Sequence, residues 1–272
     1  MRWKMICFIL FMQSIYVHGT GGGILPGGRI SAMGSAAVAT TGIWSVATNQ
    51  AGIAWSQGWQ AGLYAENRFL VKELCYEAVA LTWSGRPGAF GIVVSYSGFQ
   101  LFNEITAGIT YARKFGRRFS VGVQLYYNRI QLGEEYGSKS LVSGKIGLMY
   151  KPDDSWTLGV QVCNPVPVKI SDYPEERLPV LFRLGIGYNI SGKVLVLLEG
   201  EKDLEHKPVI RTGLEIKLAS MVWGRLGVIS DPFMVTGGIG LMLGKIRIDI
   251  ATRYHMVLGF SPSLSVVYSI NK

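Results

Sequence analysis

The chain has 272 residues, 49 % of them hydrophobic and only 17 % charged, with a formal charge of +9. That is too apolar for a disordered chain, and the 35 glycines follow no three-residue period, which excludes a collagen-like repeat. The basic excess is dispersed, with Arg117-Arg118 its densest point, so it argues against a nucleic-acid partner and for contact with anionic lipid headgroups.

Residues 1–19 read as a cleaved export signal. Arg2 and Lys4 form a positive start, Met5 to Met12 an apolar stretch, and Val17 and Gly19 the small residues before a cut at Thr20. Removing Arg2 and Lys4 takes 27 basic residues to 25 against 18 acidic, leaving +7. After Gly19 no apolar run approaches the ~20 residues of a spanning helix. Two architectures remain: a soluble exported protein or a transmembrane β-barrel.

Residues 20–58 are rich in Gly, Ala, Ser and Thr and alternate little. They are expected to form an N-terminal hatch, a periplasmic lid or a plug inside the barrel, with Arg29 to Ala39 as a short helix. A phosphate-cradling loop over Gly21 to Gly52 is disfavoured, because the stretch follows a leader rather than a strand and no Lys-Ser/Thr closes it.

From residue 59 to 272 the pattern has period two. Phe119, Val121, Val123, Leu125 and Tyr127 alternate with Ser120, Gly122, Gln124, Tyr126 and Asn128, and Ile246, Ile248 and Ile250 alternate with Lys245, Arg247 and Asp249. Fourteen strands are expected: 59–70, 75–84, 88–96, 102–113, 118–131, 140–150, 155–163, 179–189, 193–201, 207–217, 220–229, 233–243, 245–254 and 260–270. Each approximates the ~9–11 residues that cross a bilayer at a tilt. Aromatics end many of them (Tyr96, Tyr111, Tyr127, Tyr150, Tyr188, Tyr268), as interfacial girdles require. Short connections such as Arg86-Pro87 and Gly244 alternate with longer ones such as Asn164 to Leu178, the short-inside, long-outside asymmetry of membrane barrels. The fold class expected is therefore all-β: a closed antiparallel transmembrane barrel in the cell outer membrane, with outer-membrane lipid as its first partner.

Candidate chemistry is sparse. Only His206 and His255 follow the leader, and His255 with Ser261 or Ser263 lacks any hydrolase box, so no enzyme activity is expected. Separated histidines and cysteines (Cys75, Cys163) give no metal spacing, and neither a cofactor nor a disulfide is expected. Asp153-Asp154 reads as a solvated turn, and Asp172 with Glu175-Glu176-Arg177 as a solvated external loop. On the polar face of the strands, Lys145, Arg183, Glu199, Glu201, Arg211, Glu215, Arg225, Arg247 and Asp249 are expected to point into the lumen. They would line a polar permeation path or, the favoured reading, brace a closed barrel as pairs, with Glu199 or Glu201 near Arg211 and Arg225.

Two stretches resemble a known family. GGRISAMGSAAVATTGIWSVATNQAGIA, Gly27 to Ala54, resembles the start of FadL-like barrels, especially the PorV/PorQ-type branch found in Bacteroidetes. Its matching positions are Gly28, Arg29, Met33, Gly34, Ala36, Asn49, Gln50, Ala51 and Gly52. The Gly-rich stretch Arg225 to Ile270, with its Ile-Asp-Ile strand and Leu258-Gly259, is similar as well. Gln50 stands where the FadL-like element has proline, and the last aromatic is Tyr268 rather than the final residue. The resemblance implies a fourteen-stranded outer-membrane barrel with an N-terminal hatch. It further implies either secretion-machinery proteins of type IX as partners or a hydrophobic small molecule as ligand.

Overall fold

The structure is a computed structural model that describes residues 24–133, 137–166, 169–172, 175–203 and 206–270. The expected leader over residues 1–19 lies outside them.

Fourteen antiparallel strands close into one barrel: β1 (Gly58–Asn67), β2 (Cys75–Gly85), β3 (Gly88–Phe99), β4 (Phe102–Phe115), β5 (Phe119–Leu132), β6 (Ser138–Tyr150), β7 (Trp156–Cys163), β10 (Leu181–Ile190), β11 (Val194–Lys202), β12 (Val209–Ala219), β13 (Val222–Ser230), β14 (Phe233–Leu243), β15 (Ile246–His255) and β16 (Gly259–Ile270). Between β7 and β10 a small separate hairpin, β8 (Lys169–Asp172) and β9 (Glu175–Arg177), occupies what the sequence reading left as loop. Neighbours in sequence pair as hairpins, and β1 pairs with β16, Trp59 opposite Ile270, so no edge is left bare.

Period-two alternation decides which face is which. Along β5, Ser120, Gln124, Tyr126 and Asn128 are buried inside while Phe119, Val123, Leu125 and Tyr127 face out. The same inversion runs round the wall: Ile109 and Leu184 are 61 % and 63 % exposed while Arg183 and Glu199 are 4 % and 2 % exposed. A water-soluble sandwich would bury the first pair and expose the second. An apolar belt of this extent is stable only against hydrocarbon, and the closed ladder leaves no strand polar group to be desolvated there. Among the described residues the outward strand charges are Glu77, Arg113, Arg129 and Lys202, each nearer a strand end than its middle.

Both ends carry aromatics. At the end holding the start of β1, Trp59, Trp83, Phe90 and Tyr111 follow one another across four strands, with ring centroids 6.3, 6.1 and 5.0 Å apart, and Trp156 packs on Tyr188 at 4.3 Å. All connections at this end are short: 86–87, 116–118, 151–155, 191–193, 220–221 and 244–245. At the other end the asymmetry is partial. Residues 164–180 and 68–74 make long connections there, but 100–101 and 231–232 turn as tightly as any.

Candidate functional site in the barrel interior

The described N-terminal residues, from Ile24 on, lie against the inward faces of strands on both sides of the barrel. The chain starts as helix α1 (Gly28–Ala32), which stops early because Gly34 and Ser35 take positive φ, 63° and 57°. The helix is thus shorter than the Arg29 to Ala39 expectation: the Met-Gly-Ser turn requires a left-handed backbone, which a helix cannot continue through. Helix α2 (Ser45–Thr48) and a 3₁₀ turn over Gln50–Trp55 follow. Ile43, Trp44, Val46 and Ile53 are nearly fully buried with Tyr64, Tyr76 and Ala80 of the wall, and Trp44 and Tyr76 both pack edge-on to Tyr64 at 6.0 Å.

The wall receives this segment on glycines. A Cβ on Gly213 would lie 2.7 Å from Met33 O, and one on Gly91 2.8 Å from Val46 Cγ2. Cβ atoms on Gly122, Gly147, Gly159 or Gly227 would overlap Gln50, Asn49, Val38 or Gly34 outright. Inward glycines on six strands therefore form the space in which the segment's backbone sits. Their recurrence on the polar face, beside a Gly/Ala-rich leader segment, was the available signal.

The hatch-motif residues meet specific partners. Asn49, fully buried, donates from Nδ2 to Val38 O (2.6 Å) and Leu148 O (3.0 Å) and accepts Ala51 N–H on Oδ1 (3.2 Å). Gln50 Oε1 accepts from Gln161 Nε2 (3.1 Å), and Gln161 Oε1 accepts from Arg183 Nη1 (3.2 Å). Arg183 pairs with Glu201; Arg211 joins Glu201 (2.9 Å) to Glu199 (3.2 Å). Glu199 Oε2 then accepts both Ala37 N–H and Val38 N–H at 2.7 Å. The chain of bonds leaves the segment at Gln50 and returns to it at Ala37 and Val38.

A second network centres on Glu215. Arg29 meets it with two bonds, Nε to Oε2 at 2.8 Å and Nη2 to Oε1 at 2.7 Å, and Arg225 Nε adds a third at 2.6 Å. Arg225 Nη1 lies 2.9 Å from Asp249 Oδ1, and Arg247 reaches Asp249 (3.0 Å) and Glu215 (3.4 Å). Gly28 N–H donates to Ser265 Oγ (3.1 Å) and Gly34 N–H to Thr236 Oγ1 (2.9 Å). Met33 and Ala36 are buried with Leu197, while Ala51 and Gly52 carry the 3₁₀ turn.

Of the nine expected inward charges, eight join these two networks. Arg225 does so with Glu215 and Asp249, not with Glu199 or Glu201. The register explains the difference, since Arg225 faces Glu215 across the β12–β13 pair and Glu199 faces Arg211 across β11–β12. Lys145 stands apart, half-buried, opposite Cys163 and 5.1 Å from the Tyr126 ring centroid. Several inward charges were missed, among them Lys114 and Lys217 near the short-turn end and Glu66, Glu104 and Arg253. Glu66 pairs with Arg253 and accepts from Tyr64 OH (2.5 Å), and Glu104 accepts from Asn128. Arg253 shares the parity of Arg247 and Asp249, so the alternation already contained it.

Other candidate residues stay apart. His255 Nδ1 accepts Val257 and Leu258 N–H (3.2 Å each), and Ser261 Oγ accepts Phe69 N–H (3.0 Å). Cys75 and Cys163 are free thiols. Among the described residues no group of three His, Cys, Asp or Glu side chains is placed to hold a metal ion. On the lipid side of β12–β16 an open apolar groove of about 870 Å³ runs between Leu214, Ile216, Leu226, Ile239, Leu241 and Ile250, recessed where Gly224 and Gly237 carry no side chain.

No family model and no curated protein matches the chain. Solved structures do. The Pseudomonas putida toluene transporter TodX superposes with a TM-score of 0.71 at 13 % identity, over 92 % of this chain and 100 % of that one. A FadL homologue from Pseudomonas aeruginosa gives 0.67 at 12 % identity, over 89 % and 96 % of the two chains. The Acinetobacter baumannii outer membrane protein Omp33 gives 0.52 at 9 % identity, over 80 % and 100 %. At such identities the likeness establishes the fold alone, a closed barrel built like those of these outer-membrane proteins.

Proposed function

We propose that the chain is a non-enzymatic outer-membrane barrel of the PorV/PorQ type, with its interior plugged by the segment that runs from Ile24 to the start of β1. It acts in envelope transport or as a type IX secretion-associated surface factor; a separate alternative for a plugged barrel is a structural role, docked to periplasmic machinery. The observation that carries this reading is the pair of ion networks that tie Arg29, Ala37 and Val38 to the wall. A segment fixed to buried charges is a permanent closure rather than a loose flap, since withdrawing it would take Arg29 from Glu215 and the two backbone amides from Glu199, leaving both buried carboxylates short of donors. A barrel filled in this way works through its two end surfaces. The test is capture of the tagged full chain from cross-linked intact envelopes. Recovery of secretion-machinery proteins in fixed ratio is expected; recovery of the barrel alone would overturn the reading.

A second reading, a FadL-like channel for hydrophobic small molecules, draws support from the fold shared with a toluene transporter and from the apolar groove on the outer wall. It predicts that deleting the chain lowers uptake of labelled aromatic hydrocarbons or fatty acids. Unchanged uptake of both would remove it.

A further inference from the structure

The short-turn mouth of the barrel carries a set of cations of which only Arg247 belongs to the two ion networks. Lys114 lies on the inward face of β4, opposite buried Ser120, and its Nζ sits 4.3 Å from the Trp55 ring centroid. Lys151 approaches the same ring at 4.5 Å. Trp55 itself is fixed by its Nε1–H bond to Ser120 Oγ, 2.8 Å. On the far side of the mouth Lys217, opposite Trp223 in register, and Arg247 stand 5.8 and 5.9 Å from the Trp223 centroid. None of the three lysines makes an ion pair among the described residues. Burial and the neighbouring Lys114 ammonium hold Lys151 below the usual lysine range. Five more cations, Arg86, Arg117, Arg118, Lys193 and Lys245, lie in the exposed turns of this end. Against them stand Asp153, which caps its own turn by accepting Ser155 and Trp156 N–H, and Asp154.

We propose that this mouth is a docking surface for an acidic, extended segment of a periplasmic protein. The inference rests on the plugged, docking reading above and on short turns marking the periplasmic end. Three features select that occupant. The lysines share the inward face with Ser120 and Trp223, so the wall separates them from lipid headgroups outside. The two cation–tryptophan groups lie on opposite arcs, β4–β6 and β12–β15, which one small anion does not span but an extended chain of carboxylates does. Each group also presents a flat indole beside its cations, a surface that packs the apolar side chains interspersed in such a segment.

The experiment uses the full chain in zwitterionic nanodiscs, titrated with a labelled oligoglutamate peptide, and in parallel its association with phosphatidylglycerol vesicles. Peptide binding that weakens steeply with added salt is expected, because the contacts are rim charges. Lys114→Gln with Lys151→Gln should weaken it about tenfold, and Lys217→Gln should weaken it further, each removing one or two close charges. Arg129→Gln, at the opposite end, should leave it unchanged. Heat-modifiable migration verifies that each variant is folded, and bilayer conductance reads the closure independently of peptide binding. Absence of peptide binding at low salt, or binding indifferent to all three lysines, overturns the proposal. So does a lysine-dependent loss of vesicle association with peptide binding intact, which would assign the mouth to lipid.

Discussion

On the β10–β16 side the barrel wall meets the first half of the N-terminal segment with ionised groups: Glu215 takes Arg29 and Glu199 takes the Ala37 and Val38 amides. On the β1–β5 side its buried hydrogen bonds to the second half are neutral. Gln124 Nε2 donates to Val46 O (2.8 Å), Ser84 Oγ to Ile53 O (2.9 Å), Ser120 Oγ to Ala51 O (3.0 Å), and Tyr64 packs Trp44. The two sides differ in what failure costs. A neutral pair that loses one member leaves a group that costs about 1–3 kcal/mol to leave unsatisfied, whereas a buried ion pair leaves a bare charge. The charged side is therefore where the position of the segment is enforced, and the neutral side is where it is filled in.

The comparison is most sharply strained by Glu199→Ala. It removes the acceptor of two backbone amides and leaves Arg211 with Glu201 alone, and should lower stability in urea by about 3–5 kcal/mol. Loss of under about 1 kcal/mol would mean that the charged side is not special. Next in size is steric expulsion. Gly227→Val intrudes on the Gly34 backbone and should cost about 1–3 kcal/mol or displace the segment, while Gly200→Val, whose Cβ meets nothing within 4 Å, should be nearly neutral in the same unfolding series. The smallest effect belongs to the neutral side. Gln124→Ala should cost about 1 kcal/mol, so a loss equal to that of Glu199→Ala would erase the distinction between the two sides.

Much of the barrel was legible in the residues, because a two-residue period assigns every side chain of a strand to one face. Fourteen strands, the outward tyrosines and the inward Arg183, Glu199 and Glu215 all follow from that parity. Partnership was less legible. Arg225 was expected beside Glu199 or Glu201 and lies with Glu215, since pairing depends on the hairpin register at residues 220–221, which alternation does not fix. Alternation places the glycines on the inward face but does not reveal what they receive. Gly122, Gly147, Gly159 and Gly227 are far apart in sequence, and only closure brings them round one buried segment. The helix expected over Arg29 to Ala39 ends at Ala32 because Gly34 and Ser35 take left-handed backbone angles, which strand parity says nothing about.

The central claim, that the N-terminal segment is locked into the barrel and closes it, is tested most directly by single-channel conductance in planar lipid bilayers, comparing the intact chain with the Arg29→Ala, Glu199→Ala double variant. A silent intact chain and ion-conducting openings in the folded double variant are the predicted result. Steady open-pore current through the intact chain, unchanged by the two substitutions, would contradict it.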